Sequence, residues 1–271
     1  MSDIPSITHS NSAPICFVHI PKTAVTSIGY SLTSLFESDE IFHGKTVYDY
    51  QEHSKEELAV YKYFSGHIQR DHFHKLPRNT KYFTFVRDPI KRTISHYRYF
   101  RKIFLSGEHS MLKPEERNSM ELAGSMDIID WVGSDDPFTI VSIRNPQTAQ
   151  LVPSSMFWSE HPAQPEDILA EAYRVLANFF HVGVTEFLPA CWEVLSWKLN
   201  RILPPLKTLN VTEGTDSFRE TSEVRKKLAE LCALDLELYH FCLKRTALEI
   251  QEYLDHLQSR KNIDSTFTIR R

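Results

Sequence analysis

Three short segments of the chain carry residue types that can do chemistry. His19-Ile20-Pro21-Lys22-Thr23-Ala24-Val25-Thr26-Ser27 sets one lysine among three hydroxyl residues. That is the composition of a phosphate cradle, in which backbone N–H groups at a helix N-terminus, a lysine point charge and hydroxyl donors converge on an anion. The same composition suits an ordinary turn with a hydroxyl N-cap and a solvated lysine. Composition alone leaves the two readings level, since the Walker pattern G-x-x-x-x-G-K-[ST] is absent. The second segment runs from Phe85 to Tyr97 and holds Arg87 and, on the helix expected to follow, Ser95. An arginine grips phosphate bidentately and a serine on the next helix reaches the same oxygens; taken alone, a salt-bridged Arg87 and a polar helix residue at 95 is the plainer reading. The third is Gly66-His67, an imidazole directly after the short apolar run at Tyr63. Histidine titrates near neutrality and glycine permits close backbone approach. The chain has 13 histidines, and His72, His74 and His96 read as surface or core fillers.

These segments need elements that place them together. Ile15–Ile20, between Pro14 and Pro21, is a short apolar run of the kind buried on both faces of a parallel sheet, and Ile28, Leu32, Leu35 and Phe36 then repeat at helical spacing. Tyr82–Val86 is a second such strand, with Asp88 and Pro89 supplying an N-cap and a first helical residue. Phe179–Val184 is a third, running into a helix from Thr185-Glu186. Repeated strand-to-helix units predict an α/β fold with a doubly wound parallel sheet flanked by helices. In such sheets ligands bind at the carboxyl edge, where Gly66-His67 would fall. Further helices are expected around 119–132, 165–178 and 222–257, and the polar stretches 106–118 and 153–167 as loops or lids.

Set on those elements, PKT-x-x-TS at Pro21–Ser27 resembles the 5′-phosphosulfate loop of the sulfotransferases that use 3′-phosphoadenosine 5′-phosphosulfate (PAPS), in particular the carbohydrate group that includes heparan sulfate 2-O-sulfotransferases. Arg87 and Ser95 resemble the 3′-phosphate element of the same enzymes, and Gly66-His67 their Gly-His element. The resemblance implies a P-loop-like sulfotransferase fold and transfer of a sulfuryl group from PAPS to an acceptor hydroxyl, on a carbohydrate or small molecule. It implies that Lys22, Thr23, Ala24, Val25, Thr26 and Ser27 hold the phosphosulfate, Lys22 also stabilising the transferring charge. It further implies that Arg87 and Ser95 hold the 3′-phosphate and that His67 is the base, with His19, Asp71 and His72 as alternatives. Thr212, where the family's chain returns over the nucleotide, is a further expected contact, and no metal is implied. Relatives often carry a small residue where this chain has Val25, so a left-handed backbone there would be strained. Arg144–Leu151 resembles a stretch bordering the family's acceptor side, and Val182–Glu186 its late strand-to-helix turn. The resemblance extends from about Ile15 to Tyr239. Two rivals stay open: a P-loop kinase of a small metabolite, which would leave the Arg87–Ser95 element unused, and a catalytically silent nucleotide-binding scaffold.

Bulk properties agree. The 271 residues, 41% hydrophobic and 12% aromatic, suffice to bury a full core. The expected division is an N-terminal arm over 1–13, one domain over 14–258 and a tail over 259–271. A formal charge of −4 does not advertise nucleic acid as a partner, so any anion site must be local. The four cysteines lack metal-type spacing and read as buried thiols of a reducing compartment. No run reaches the roughly twenty apolar residues of a membrane span, and the N-terminus has no signal-like h-region. These features predict a cytoplasmic protein, although a catalytic domain cut from a membrane-anchored parent would read the same way.

Overall fold

The computed structural model describes residues 13–44, 46–108, 113–206 and 220–268. Its centre is a five-stranded, all-parallel sheet: β1 (Ile15–Val18), β2 (Ile41–Phe42), β3 (Tyr63–Gly66), β4 (Lys81–Val86) and β5 (His181–Val184), in the order β2-β3-β1-β4-β5. The chain leaves β1 toward the β2 edge and leaves β4 toward β5. The adjacent strands β1 and β4 therefore bracket the point where the winding reverses, which is where open α/β sheets bind ligands. The expected doubly wound parallel sheet is thus present, with β2, a strand of two residues, as an edge the sequence did not mark.

Thirteen α-helices surround the sheet among the described residues. α1 (Val25–Thr33), α2 (Val47–Glu52) and α3 (Lys55–Leu58) precede β3. After β4 come α4 (Pro89–Ser106), α5 (Pro114–Ser125), α6 (Ile128–Gly133), α7 (Pro137–Ile143), α8 (Pro146–Leu151), α9 (Ser155–Trp158) and α10 (Pro165–Ala177). After β5 come α11 (Leu188–Leu199), α12 (Ser222–Leu231) and α13 (Ala233–Thr268).

Alternation along the strands feeds two cores. Cys16 and Val18 join Ile168 and Leu176 of α10 and Leu238 of α13 on one face. Ile15 and Phe17 join Ile28 and Leu32 of α1 and Cys191 and Leu195 of α11 on the other. A third core forms away from the sheet, where Ile94, Tyr97 and Phe100 of α4 meet Trp131 of α6 and Leu228 of α12. Two expected helices prove to be broken, and this third core explains why. The stretch 119–132 is interrupted at Met126-Asp127, where Asp127 caps α6 by accepting from Asp130 N at 3.0 Å. The stretch 222–257 is interrupted at Cys232, so that α12 packs into the third core while α13 returns to the sheet. The stretches expected as loops, 106–118 and 153–167, contain the start of α5, all of α9 and the start of α10.

Across the sheet's edge, β5, α11 and α13 are joined by charge. Glu249 of α13 accepts from His181 Nδ1 at 2.6 Å and from Arg245 Nε at 2.8 Å, and lies 3.0 Å from Lys198 Nζ. All four cysteines are free and buried.

Candidate active site

The residue immediately after each of β1, β3, β4 and β5 is His19, His67, Arg87 and Thr185, and all four line one open cavity of about 620 Å³. Strand registers set their relative heights. Val18 pairs with both Gly66 and Thr84, so His19 and His67 stand level while Arg87 stands further out. Gly66 at φ 142 lets β3 turn into His67, a backbone angle that a side chain would resist.

The Pro21–Ser27 loop forms one wall. Thr23 is fully buried and its hydroxyl donates to Ile20 O at 2.9 Å, so its side chain pins the turn and is absent from the cavity lining. Lys22, Ala24, Val25, Thr26 and Ser27 do line it. Lys22 and Ala24 adopt left-handed angles, φ 72 and φ 63, whereas Val25 is the first helical residue of α1. The strain feared at Val25 therefore falls on its neighbours, at about 1–3 kcal/mol each. Ala24, the N-cap of α1, makes no side-chain cap bond, so the positive end of the helix opens on the cavity without a capping side chain. Lys22 Nζ lies 4.2 Å from the ring centroid of Tyr99, and burial, with Arg87 and Arg92 nearby, lowers its ammonium to about 8.

The opposite wall is α4. Asp88 caps it by accepting from Lys91 N at 2.9 Å, with Pro89 at its first turn, as the sequence predicts. Lys91, Ser95, Arg98, Tyr99 and Lys102 fall at spacings of three and four and share its cavity face. Among the described residues the lining thus holds five Lys and Arg side chains, Lys22, Arg87, Lys91, Arg98 and Lys102, against one carboxylate, Glu220. Lys91, Arg98, Tyr99 and Lys102 are additions to the residues singled out from sequence; their helical spacing from Ser95 was the available signal.

At the third side, the rings of His67 and His19 stack with centroids 4.3 Å apart. His67 Nδ1 lies 3.2 Å from His19 O, an acceptor, so Nδ1 carries the proton and Nε2 the lone pair. Burial lowers His67 below the ordinary histidine value, opposed by this hydrogen bond and helped by Lys113. His19 is lowered further, by burial and by His67. His72 and His96 are buried, His74 is exposed, and none of the three lines the cavity. Thr212 lies outside the described residues.

The Arg144–Leu151 stretch does not border the cavity. Gln147 and Thr148 are fully buried, and Gln147 instead holds the backbone of Arg87, accepting from its N–H and donating to its carbonyl, both at 2.9 Å. The Val182–Glu186 turn does reach the cavity. Thr185 lines it while donating to Val86 O at 2.9 Å, and Glu186 accepts from Asp88 N at 3.3 Å.

Residues 5–126 match the family described as Sulfotransferase family, a stretch that contains the Pro21–Ser27 loop, Gly66-His67 and the Arg87–Ser95 segment. Over that stretch the chain is similar to the sulfotransferase family, and the resemblance read from those motifs is borne out at that level. The match ends well before Tyr239, to which the resemblance had been traced. No curated protein matches the chain at a significant level. Among the described residues no helix is long and apolar enough to cross a membrane, and no cluster of His, Cys, Asp and Glu is arranged to hold a metal ion.

Proposed function

We propose that this chain transfers a sulfuryl group from PAPS to an acceptor hydroxyl on a carbohydrate or small molecule. The carrying observation is the cavity at the winding reversal, lined among the described residues by five Lys and Arg side chains against one carboxylate, with the start of α1, which has no side-chain cap, at one wall and Arg87 with Ser95 at the other. A volume of about 620 Å³ falls within the range of small-molecule sites, roughly 300–1,000 Å³, and the charge suits a ligand with two separated anionic groups.

PAPS supplies a sulfur whose bond to the 5′-phosphate oxygen breaks as the acceptor oxygen attaches, leaving adenosine 3′,5′-bisphosphate. In this reading the α1 N–H groups, Thr26 and Ser27 bind the phosphosulfate, with the backbone of Thr23, Ala24 and Val25 shaping the cradle. Lys22 meets charge that grows during transfer, where a fixed cation in a partly dry site acts most strongly. Arg87 and Ser95 hold the 3′-phosphate. His67 Nε2 takes the acceptor's proton, its tautomer fixed by His19 O, and its lowered pKa keeps the imidazole neutral and ready at pH 7.

Binding of adenosine 3′,5′-bisphosphate compared with AMP and ATP tests the donor site. Arg87→Ala is expected to weaken binding of the bisphosphate by about tenfold or more, the scale of a lost charged hydrogen-bond pair, and to leave AMP nearly unchanged. Equal losses for both ligands would remove the 3′-phosphate assignment. Preference for ATP would favour a kinase. Sulfate gain by mass spectrometry, with PAPS and a panel of sugars and alcohols, tests the transfer; binding without turnover across the panel would favour a silent scaffold.

A further inference from the structure

The arginine expected to read the 3′-phosphate is held from beneath by residues far away in the chain. Arg87 follows the last residue of β4, where its backbone N–H and carbonyl have left the sheet ladder. The Gln147 side-chain amide satisfies both, at 2.9 Å each, in the manner of one more strand residue. Gln147 is fully buried, and its own backbone N–H donates to Asp235 Oδ2 at 3.1 Å. The other oxygen of Asp235 accepts from Thr148 N and Thr148 Oγ1, both at 2.7 Å. Asp235 N donates in turn to Asn145 Oδ1 at 3.1 Å, closing a loop between α13 and the α8 start. Every polar atom of Gln147 and Asp235 named here is spent inside this chain of bonds, and Gln147 does not reach the cavity.

We propose that Gln147, clamped by Asp235, is a positioning residue that sets the guanidinium of Arg87 and thereby makes the site discriminate a 3′-phosphate from a 3′-hydroxyl. The inference rests on the reading of Arg87 above. A guanidinium binds phosphate bidentately only within a narrow orientation, so the backbone from which it projects must be fixed. At a strand end that fixing has to be imported. The amide imports it twice, and Asp235 prevents the amide from swinging because it immobilises the backbone on either side of the Gln147–Thr148 peptide. Both residues lie beyond the part of the chain that matches the family, which ends at 126. The distal half of the molecule therefore supplies the rigidity of Arg87, a residue of the proximal half.

The test is the ratio of affinities for adenosine 3′,5′-bisphosphate and AMP, measured by calorimetry on the full chain for the wild type, Gln147→Met and Arg87→Ala. Gln147→Met keeps the volume and removes both bonds to Arg87. It is expected to lower bisphosphate affinity by about tenfold and leave AMP within about twofold, a selective loss that general loosening of the fold does not produce. Should Gln147→Met fail to fold, Gln147→Glu keeps the size and the acceptor for Arg87 N–H, loses the donor to Arg87 O, and is expected to show the same selective loss. If Arg87→Ala abolishes the preference and the Gln147 variants keep it, or if they lose both ligands alike, the positioning role is wrong while the Arg87 reading stands. If Arg87→Ala itself keeps the preference, the Arg87 reading fails and the positioning role fails with it.

Discussion

In the proposed transfer Lys22 and His67 make opposite demands on pH, and burial favours the form His67 needs while it works against the form Lys22 needs. Lys22 must be protonated to oppose developing negative charge, yet its ammonium is lowered to about 8 by burial and by Arg87 and Arg92. His67 must be neutral to accept a proton, and burial lowers it, so it stays neutral down into mildly acid solution. In the free enzyme kcat/KM is therefore expected to fall below an acid limb under 6.5 and above an alkaline limb near 8. Bound donor anions stabilise the ammonium, so the alkaline limb of kcat lies higher than that of kcat/KM. Lys22→Arg, whose guanidinium does not titrate in this range, is expected to lose the alkaline limb; a limb unchanged in that variant assigns it to another group. His67→Ala is expected to lose about a hundred- to ten-thousand-fold in rate with nucleotide affinity kept, and a variant that retains most activity would exclude His67 as the base.

At the scale of elements, the proposed cradle depends on a chain path that is costly. Two left-handed residues flanking Thr23 would be costly anywhere, and here Thr23 Oγ1 and the start of α1 hold them. A β-branched side chain at 24 cannot accept φ 63 comfortably, so Ala24→Val is expected to cost about 1–3 kcal/mol in thermal unfolding. Val25→Ala, one residue on and helical, should cost less; the reverse order would mean that the loop in solution differs from this path. The strands after which His19, His67 and Arg87 emerge were legible because each is a short apolar run closed by proline, glycine or aspartate. β2 was not, since two residues, Ile41 and Phe42, make no pattern. The breaks at Asp127 and Cys232 were hidden because the apolar spacing continues through them, and only the third core requires the chain to bend there.

For the whole molecule, the distance between partners decides what a sequence can reveal. Pro21–Ser27 and Arg87–Ser95 are local and announce themselves; the hold of Gln147 on Arg87 spans 60 residues and that of Asp235 on Gln147 spans 88, so neither leaves a nearby signature. The charged junction of β5, α11 and α13 is equally invisible. Burial alone pushes the Glu249 carboxyl up, but the bond from His181, with Lys198 and Arg245, outweighs burial and holds it at about 2. His181 is lowered by burial despite that carboxylate, so the pair is a neutral imidazole donating to an ionised acid. A carboxyl lowered on folding stabilises the fold above its unfolded value and loses that contribution as pH falls toward about 2. Glu249→Gln, which strands two cations in a half-closed junction, is expected to cost about 3–5 kcal/mol at neutral pH, and less as the solution is made more acid. A cost independent of pH over that range would mean that the junction holds by packing and not by charge.

The four sealed cysteines give the molecule a built-in counter of its own opening. Burial raises every one of these thiols, Cys191 and Cys232 to about 11 and Cys242 to about 12, and Cys16 higher still, so the native protein presents almost no thiolate to an alkylating reagent. They also sit at different depths of the architecture: Cys16 in the central strand, Cys191 on α11, Cys232 at the hinge between α12 and α13, and Cys242 on α13. The order in which they become labelled would therefore report which layer of the protein gives way first.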